Sequence, residues 1–295
     1  MKAKIFEVKR FAVHDGDGIR TTVFFKGCSL KCLWCHNPEG ISFDSQLAYF
    51  GNKCINCSEC VKVCKSEAQI ISDGKHLFVR DLCTGCGACE KVCAGSALKL
   101  YGKEMSVEEL MPILLEDTEF YNNSGGGITL SGGECLCQAD FCARLLCELS
   151  ANKIHTAVDT CGNVSRESID KVLPFTDVFL YDVKAIDDDI HIKCTGMSNR
   201  LILENLKYID SCGKNIEIRI PFVPEYNANQ IRKIAEFTAN LKNVSKVRVL
   251  PFHNLAGSKY QSLGMNNTLP KVLPTIDDLD KTIRILEDYN IKVVK

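Results

Sequence analysis

The sequence predicts an α/β fold: a partial, TIM-like (β/α)6 barrel with a small cysteine-rich insertion after its first strand. From about residue 105 onward, short runs rich in Val, Ile, Leu and Phe alternate with amphipathic stretches of helical period, which is typical of β-α units and a parallel sheet. Before that point, two similar cysteine runs interrupt the pattern. The expected domains are 1–49, the first strand and a cysteine loop of the barrel; 50–100, the insertion; and 101–295, the rest of the barrel.

Six strands are expected, each a short apolar run: 20–25, 127–132, 155–160, 178–184, 216–222 and 246–252. Helices are expected between them at 138–152, 165–173, 199–212, 228–241 and 275–289. Another helix should begin at Ser106, because Glu109 completes a capping box there, and Pro112 is expected to bend its first turns.

Composition narrows the class of protein. The chain has 295 residues and a formal net charge of −1, so it lacks the positive field that binds a nucleic-acid backbone. No apolar run approaches the roughly 20 residues of a membrane span, and charges interrupt the first residues too often for a signal peptide. We therefore expect a cytoplasmic protein whose partners are neither nucleic acid nor membrane.

Eighteen cysteines indicate either disulfides or metal binding, and the reducing cytosol together with the short spacings favours metal. Eleven fall in three groups: Cys28, Cys32 and Cys35; Cys54, Cys57, Cys60 and Cys64; Cys83, Cys86, Cys89 and Cys93. The other seven have no ligand spacing and are expected to be buried free thiols. Of these, Cys135 and Cys137 stand at a strand end and could line a pocket, although alanine at both should leave the iron content unchanged.

The second and third groups repeat the C-x2-C-x2-C-x3-C spacing of bacterial ferredoxins, in which the fourth cysteine of each run binds the other cluster. Residues 50–100 are therefore expected to form a ferredoxin-like domain with two [4Fe-4S] clusters. Crossed ligation assigns Cys54, Cys57, Cys60 and Cys93 to one cluster and Cys83, Cys86, Cys89 and Cys64 to the other. Structural zinc is the alternative, but eight cysteines in two such runs fit its paired ligands poorly.

The first group has only three cysteines, in "GCSLKCLWC". Three thiolates bind three irons of a four-iron cluster, so one iron keeps an open coordination position. A cluster that only transfers electrons is normally closed, and the fourth ligand is therefore expected to be a substrate or cofactor. A later cysteine could close this cluster only by leaving a ferredoxin run one ligand short.

Ligands of parallel-strand barrels gather at the carboxyl ends of the strands, where this sequence has many polar residues. They are Gly132, Gly133, Glu134, Asp159, Thr160, Asp182, Lys184, Arg219 and His253. Structural alternatives are an ordinary glycine turn, a buried Asp182–Lys184 salt bridge and a satisfied histidine. Asp182 and Lys184 are two residues apart, so both should point into the barrel, and the cost of burying such a pair favours a site.

The motifs also carry a resemblance. "CSLKCLWC" resembles the C-x3-C-x-aromatic-C signature of radical S-adenosylmethionine enzymes. More narrowly, "DGDGIRTTVFFKGC", "GGGITLSGGE", "DVK" and "LPFHNLAGSKY" resemble the activating enzymes of glycyl radical enzymes, over essentially the whole chain and including a two-cluster insertion. Asp17 stands where most members have proline, which could alter contacts with the partner, and Cys161 stands where many have asparagine.

The resemblance implies roles for the site residues. Cys28, Cys32 and Cys35 would hold the cluster whose open iron binds the methionine part of S-adenosylmethionine. Gly132, Gly133 and Glu134 would contact its amino group, and Asp182, Lys184 and His253 would contact its carboxylate and ribose. Trp34 and His36 would pack beside its adenine, and Arg219 would lie within the site. Asp159, Thr160 and Asp182 would bind a monovalent cation such as Na⁺ or K⁺. Asp15 would face the glycine loop of the partner.

The implied activity is that of an oxidoreductase. Reductive cleavage of S-adenosylmethionine would give a 5'-deoxyadenosyl radical, which takes a hydrogen atom from a glycine α carbon of a partner glycyl radical enzyme. A flavodoxin or ferredoxin would donate the electron, and the two ferredoxin-like clusters would relay it or shape a docking surface. Two alternatives remain: a radical enzyme acting directly on a small molecule or peptide, which the "DGDGIR" match disfavours, and a non-catalytic electron carrier, which the open cluster disfavours.

Overall fold

The structure, a computed structural model, describes residues 1–294. The strands in this part of the chain are β1 (Lys2–Ala12), β2 (Arg20–Phe25), β3 (Gln46–Tyr49), β4 (Gln69–Ser72), β5 (Lys75–Phe78), β6 (Leu98–Tyr101), β7 (Lys103–Ser106), β8 (Gly127–Gly132), β9 (Thr156–Thr160), β10 (Val178–Asp182), β11 (Asn215–Phe222), β12 (Val244–Pro251) and β13 (Val293–Val294). The helices are α1 (Glu59–Val63), α2 (Ala88–Lys91), α3 (Val107–Leu115), α4 (Thr118–Ser124), α5 (Ala139–Ala151), α6 (Arg166–Val172), α7 (Asp188–Thr195), α8 (Arg200–Ser211), α9 (Pro224–Asn227), α10 (Ile231–Ala239), α11 (Gly257–Leu263) and α12 (Ile276–Glu287).

One large sheet organises the molecule, with its nine strands in the order β13-β12-β11-β10-β9-β8-β2-β1-β7. The six predicted strands, β2 and β8 to β12, are all present and pair in parallel as neighbours. Residues from all six line a single cavity, so the sheet curves around it. The α/β fold and the partial, open barrel therefore follow the alternation in the sequence.

Three strands of this sheet are not predicted. β1 pairs antiparallel with β2, β7 pairs antiparallel with β1, and β13 pairs in parallel with β12. The register of β1 shifts between Ile5 and Glu7 and again between Lys9 and Ala12. These irregularities break the period-two alternation by which a strand is recognised in a sequence, and β13 is only two residues long.

The predicted helices are present as α5, α6, α8, α10 and α12, with ends within about three residues of those expected. At the start of α3, the Ser106 hydroxyl accepts from the Glu109 amide, and the Glu109 carboxylate accepts from the Ser106 amide, so the capping box is confirmed. Pro112 lies inside α3, which ends three residues later. α7 is not predicted, because its sequence "DDIHIKCT" has no clear apolar period.

The core lies between the curved sheet and its helices. Leu110 and Leu114 of α3 and Leu145 and Leu149 of α5 are fully buried, which is the i, i+4 pattern of one helix face. Each fully buried side chain of this size contributes about 1.5–3 kcal/mol. The sheet is buried on both faces, and this explains why its strands are nearly continuous apolar runs.

The cysteine-rich segment forms a small unit of its own between β2 and β8. It contains two antiparallel pairs, β3 with β6 and β4 with β5, and the short helices α1 and α2. Leu47, Cys89 and Leu98 form a separate apolar cluster inside it. Within residues 1–294, no helix has the length and apolar character of a membrane span.

Candidate active site

A cavity of about 600 Å³ opens at the carboxyl ends of the parallel strands. Its walls come from β8 to β12, from the loop after β2 and from the loop before β2. The predicted site residues that line it are Asp15, Cys28, Cys32, Trp34, Cys35, His36, Gly132, Gly133, Asp159, Thr160, Asp182, Lys184, Arg219 and His253. The structure therefore brings together all of the predicted barrel-site residues except Glu134.

The three cysteines of the first group lie on the loop after β2, where backbone hydrogen bonds fix the loop from both sides. The Cys28 amide donates to the Ile41 carbonyl (3.0 Å), and the Leu33 amide donates to the Cys194 carbonyl (2.9 Å). All three cysteines are free and half-buried, and burial raises the pKa of the Cys32 and Cys35 thiols to about 12. A thiol must lose its proton to bind metal. Because burial disfavours the charged thiolate, these cysteines are expected to lose their protons only when a strong Lewis acid binds them.

The space between these thiols suits a group larger than one ion. Within residues 1–294, no three His, Cys, Asp or Glu side chains are positioned to hold a single metal ion. Cys28, Cys32 and Cys35 instead face a common cavity. Three soft sulfur donors around an open volume fit an iron-sulfur cluster with one exchangeable position.

Gly132 and Gly133 lie where the β8 turn meets the cysteine loop. Gly132 has φ +125°, and a Cβ there would lie 2.3 Å from the Phe25 backbone. A Cβ on Gly133 would lie 2.3 Å from the Gly40 carbonyl oxygen. The tight packing of two backbone segments is enough to require glycine at both positions, and both residues also face the cavity.

Glu134 is the predicted barrel-site residue that does not line the cavity. It is fully buried, and its carboxylate accepts hydrogen bonds from the Thr160 hydroxyl (2.8 Å), the Cys161 amide (2.8 Å) and the Leu136 amide (3.1 Å). These bonds connect the β8 turn to the end of β9. Glu134 thus positions two cavity-lining residues, Thr160 and Cys161, and its contact with a ligand stays a prediction.

Asp182 and Lys184 form the pair expected at the end of β10, with Nζ 2.6 Å from the carboxylate. Burial alone would lower the pKa of Lys184, but the Asp182 carboxylate and the nearby Cys32 raise it above its usual range. The Asn227 amide donates to the Lys184 carbonyl (3.0 Å) and fixes the backbone. The geometry is that of the salt-bridge alternative, and it leaves both groups on the cavity wall.

A second group of charges lies across β9 and β11. Ser131 donates to Asp159 (2.7 Å), and the Arg219 guanidinium is 3.5 Å from the same carboxylate. Burial raises the pKa of Asp159 to about 7, while Arg219 opposes this shift. The hydroxyl of Thr160 donates to Glu134. Arg219 is thus the nearest cation to Asp159, and binding of a monovalent cation there stays a prediction.

Aromatic residues form another part of the cavity wall. The rings of His36 and His253 stack with centroids 4.0 Å apart, and the ring of Phe252 stacks with that of His36 at 5.7 Å. Trp34 is only 5% exposed and packs against Phe252 and Tyr226. An exposed Trp34 would have contradicted its assignment to the site; it is buried, and its contact with adenine stays a prediction.

The loop before β2 folds inside the barrel and forms one side of the cavity. Thr129 donates to the Asp15 carbonyl (2.6 Å), and the Asp15 carboxylate accepts from Thr22 (2.8 Å). Arg219 donates to the His14 carbonyl. Asp15 is therefore held by the protein's own groups, and its contact with a partner stays a prediction.

Two features of the site were missed by sequence reasoning. The first is Arg20, which is fully buried and donates to the Thr129 hydroxyl and the Ile128 carbonyl (both 2.7 Å). Burial lowers the pKa of Arg20 to about 10. The only signal for it was the "DGDGIR" motif.

The second feature is α11, whose side chains donate hydrogen bonds to the backbone of the cysteine loop. Tyr260 donates to the Cys35 carbonyl (3.0 Å), and Lys259 donates to the His36 carbonyl (2.9 Å). Lys259 also pairs with the buried carboxylate of Glu39 at 2.7 Å. The "LPFHNLAGSKY" motif contains both α11 residues, but nothing in the sequence shows that they contact the loop.

The eight cysteines of the insertion come together in two sets. One cavity is lined by Cys54, Cys57, Cys60 and Cys93, here called the Cys54 set. A second is lined by Cys64, Cys83, Cys86 and Cys89, here called the Cys83 set. In each set, three cysteines come from one sequence run and the fourth from the other, which is the crossed grouping expected from the spacing.

The remaining cysteines are only partly as expected. Cys135, Cys142, Cys161 and Cys194 are buried, but Cys137, Cys147 and Cys212 are exposed. Cys161 lines the active-site cavity, whereas Cys135 and Cys137 are not among its lining residues. The possibility that Cys135 and Cys137 line the pocket is therefore not borne out, and Cys135 is the buried free thiol expected by default.

Comparison with known proteins decides the family. The model of the radical SAM superfamily matches residues 22–238, more than half of the chain. The chain belongs to the radical SAM superfamily. The fold of this radical SAM protein is similar to that of Streptococcus suis SuiB bound to its precursor peptide SuiA, with a TM-score of 0.58 and 14% identity over 91% of this chain and 46% of that one.

Curated relatives place this radical SAM protein more narrowly. It is 40% identical to the trans-4-hydroxy-L-proline dehydratase activating enzyme of Clostridioides difficile, over 99% of both chains. It is 39% identical to the choline trimethylamine-lyase activating enzyme of Oleidesulfovibrio alaskensis, over 95% of this chain and 92% of the relative. Within its superfamily the chain therefore belongs to the activating enzymes of glycyl radical enzymes.

Proposed function

We propose that this protein activates a partner glycyl radical enzyme. The observation that carries the proposal is the single cavity in which three free cysteines, the Asp182–Lys184 pair and the stacked histidines face one another. The full-length similarity to activating enzymes supports it. The partner would be of the kind named for the relatives, a dehydratase, lyase or decarboxylase.

Cys28, Cys32 and Cys35 would hold a [4Fe-4S] cluster, and S-adenosylmethionine would complete its coordination. When bound, the reduced cluster supplies the electron that cleaves S-adenosylmethionine to methionine and a 5'-deoxyadenosyl radical, which takes a hydrogen atom from a glycine α carbon of the partner.

The chain's own residues would bind and orient the cofactor. Lys184 is a buried cation on the cavity wall, close enough to Cys32 for that thiol to raise its pKa, and it suits the methionine carboxylate. The stacked rings of His36 and His253 and the buried Trp34 form an aromatic wall that suits adenine. Asp159, Thr160 and Asp182 would bind a monovalent cation only after Arg219 and Lys184 shift.

Asp15 lines the cavity from the loop before β2. This loop would meet the glycine-bearing segment of the partner, because it is the part of the wall that comes from neither the cysteine loop nor the strand ends. The Asp17–Lys246 ion pair holds it against β12.

The insertion would be a ferredoxin-like domain with two further [4Fe-4S] clusters, one on the Cys54 set and one on the Cys83 set. The crossed grouping of cysteines around two separate cavities supports this assignment. A flavodoxin or ferredoxin would supply the electron to these clusters.

The first test of these assignments is the iron content of the protein after anaerobic reconstitution. We expect about twelve irons per chain, from three four-iron clusters. In electron paramagnetic resonance of the reduced protein, S-adenosylmethionine should change the signal of one cluster only. About eight irons, or spectra that do not respond to S-adenosylmethionine, would exclude an open cluster on the three-cysteine loop.

A further inference from the structure

The two cysteine sets lie one after the other along the antiparallel strand pair formed by β3 and β6. Leu47, near the start of β3, lines the cavity of the Cys83 set, and Tyr49, at its end, lines the cavity of the Cys54 set. Leu98 of β6, which pairs with Tyr49, also faces the Cys54 set. Because a strand advances about 3.3 Å per residue, the two cavities occupy successive positions along one axis.

The start of β3 is the end attached to the barrel. The Gln46 side chain accepts a hydrogen bond from Lys26 (3.0 Å), and Lys26 lies two residues before Cys28. Gly85, between Cys83 and Cys86, packs so closely on Ser45 that a Cβ there would lie 3.0 Å from the Ser45 carbonyl oxygen. The loop of the Cys83 set therefore contacts the segment that leads back to the active site.

Arg80 makes a second connection between the Cys83 set and the barrel. Its guanidinium donates to the Leu47 carbonyl (3.1 Å) and to the Ser262 carbonyl of α11 (2.6 Å). Tyr260 of the same helix donates to the Cys35 carbonyl. The Cys83 set is thus linked through Arg80 and α11 to the backbone of a predicted cluster ligand of the active site.

The Cys54 set lacks such a connection among the described residues. Hydrogen bonds of the side chains lining its cavity stay inside the insertion: Asn56 accepts from Cys54 and from the His76 amide, and His76 bonds Gln69. Each set has one exposed cysteine, Cys57 or Cys86, so the contacts with the barrel, and not exposure, distinguish the two sets.

We infer that the Cys83 set holds the cluster next to the active site and that the Cys54 set holds the remote cluster. This inference rests on the proposed function, because it assumes that both sets hold clusters. One electron from a reduced donor protein, which is oxidised in that step, would reach the active site from the Cys83 set.

The test compares two double variants of the full-length, reconstituted protein. C83A/C86A removes two thiols of the Cys83 set, and C54A/C57A removes the matched two of the Cys54 set. The measurement is the electron paramagnetic resonance linewidth of the active-site cluster in the fully reduced protein with S-adenosylmethionine, because a paramagnetic neighbour broadens it more when it is closer. We expect narrowing in C83A/C86A and an unchanged linewidth in C54A/C57A.

The iron content distinguishes an error in the order of the two insertion clusters from an error in the proposed function. With about twelve irons in the unchanged protein and about eight in each variant, equal or reversed linewidth effects would overturn the order alone. About four irons in the unchanged protein would leave no clusters on the two sets and overturn the order, whereas about eight irons, which exclude an open cluster on the three-cysteine loop, would overturn the proposed function.

A second pair of variants keeps every cysteine and guards against misfolding of the double variants. R80A removes the bridge to α11, and K62A removes an exposed ion pair with Glu59 in the insertion. R80A should narrow the electron paramagnetic resonance signal of the active-site cluster without lowering the iron content of the protein. K62A should leave this linewidth unchanged. An unchanged linewidth in R80A would contradict a close, Arg80-mediated contact of the Cys83 set with the barrel.

Discussion

At the scale of single residues, the buried carboxylates around the site fall into two kinds. Glu134 is completely engaged by one hydroxyl and two backbone amides. Asp159 and Asp182 face the cavity and each lies near one cation, Arg219 or Lys184. The first kind holds the loops in place, and the second provides charges that a ligand can meet.

E134Q should lower the free energy of unfolding by about 1–3 kcal/mol. The Leu136 and Cys161 amides donate to different oxygens of Glu134, so a glutamine can satisfy only one of them. Urea titration of the reduced protein under anaerobic conditions measures the effect. E148Q, at an exposed position of α5, is the matched control and should change stability by less than about 0.5 kcal/mol. Equal stability of the two variants would refute the positioning role.

K184M should weaken the binding of S-adenosylmethionine about 10- to 100-fold, because a hydrogen bond to a charged group contributes about 1.5–3 kcal/mol. The measurement is the Kd by equilibrium titration of the reconstituted protein, with iron content as a check on the clusters. K207M, at an exposed position of α8, serves as the control. A Kd within twofold of the unchanged protein would mean that Lys184 only neutralises Asp182.

The sequence predicts residues whose chemistry depends on spacing, and it predicts side-chain directions poorly. Cysteine ligands follow from spacing alone, because thiolates a few residues apart can share one cluster. Whether Glu134 points into the cavity depends on the turn after β8, which no periodicity describes. Arg20 was missed for a similar reason, because a charged residue in a strand is normally expected at the surface. Its burial depends on four oxygen acceptors, which belong to Asp17, Ile128, Thr129 and His155.

At the scale of elements, α11 is what makes the cysteine loop rigid. Its residues Lys259 and Tyr260 together contact Cys35, His36 and Glu39. Glu39 is 2% exposed, and Lys259 is its ion-pair partner. A loop that must hold a cluster in one position gains from such a fixed support.

K259M should lower the free energy of unfolding by about 1–3 kcal/mol, because it leaves the buried Glu39 carboxylate without its charged partner. K259R keeps the charge and should recover part of the loss. The control is K281M, which breaks the exposed Lys281–Asp277 pair of α12 and should cost at most about 0.5 kcal/mol. Urea titrations of the three variants provide the comparison, and a loss in K281M as large as that in K259M would contradict the account of α11.

Elements with a strong period were predictable, and those held by long-range contacts were not. β2 and β8 begin and end at the predicted residues, and all but one residue of each strand is buried. α11 was not predicted as a helix, since "GSKYQSL" has few apolar residues, and it is fixed mainly by contacts with the cysteine loop and β3. β1 is irregular in register, so its alternation is hidden.

At the scale of the whole molecule, the barrel and the insertion contain separate cysteine sites. The barrel encloses one cavity with an open, three-cysteine corner, while the insertion builds two smaller cavities, each with four cysteines. Contacts through β3, Arg80 and α11 connect the two parts. Sequence spacing could predict both cysteine patterns, but their relative placement depends on tertiary contacts and only the structure provides it.

The most direct test of the proposed function is the appearance of a glycyl radical on a partner protein. The reconstituted chain, S-adenosylmethionine and a low-potential reductant would be incubated anaerobically with purified hydroxyproline dehydratase, choline lyase, isethionate lyase, sulfopropanediol dehydratase and indoleacetate decarboxylase in turn, with the C32A variant as control. We predict a glycyl radical signal by electron paramagnetic resonance on at least one partner, with 5'-deoxyadenosine formed alongside it and neither product with C32A. Formation of 5'-deoxyadenosine without a radical on any of these partners would contradict the assignment as an activating enzyme.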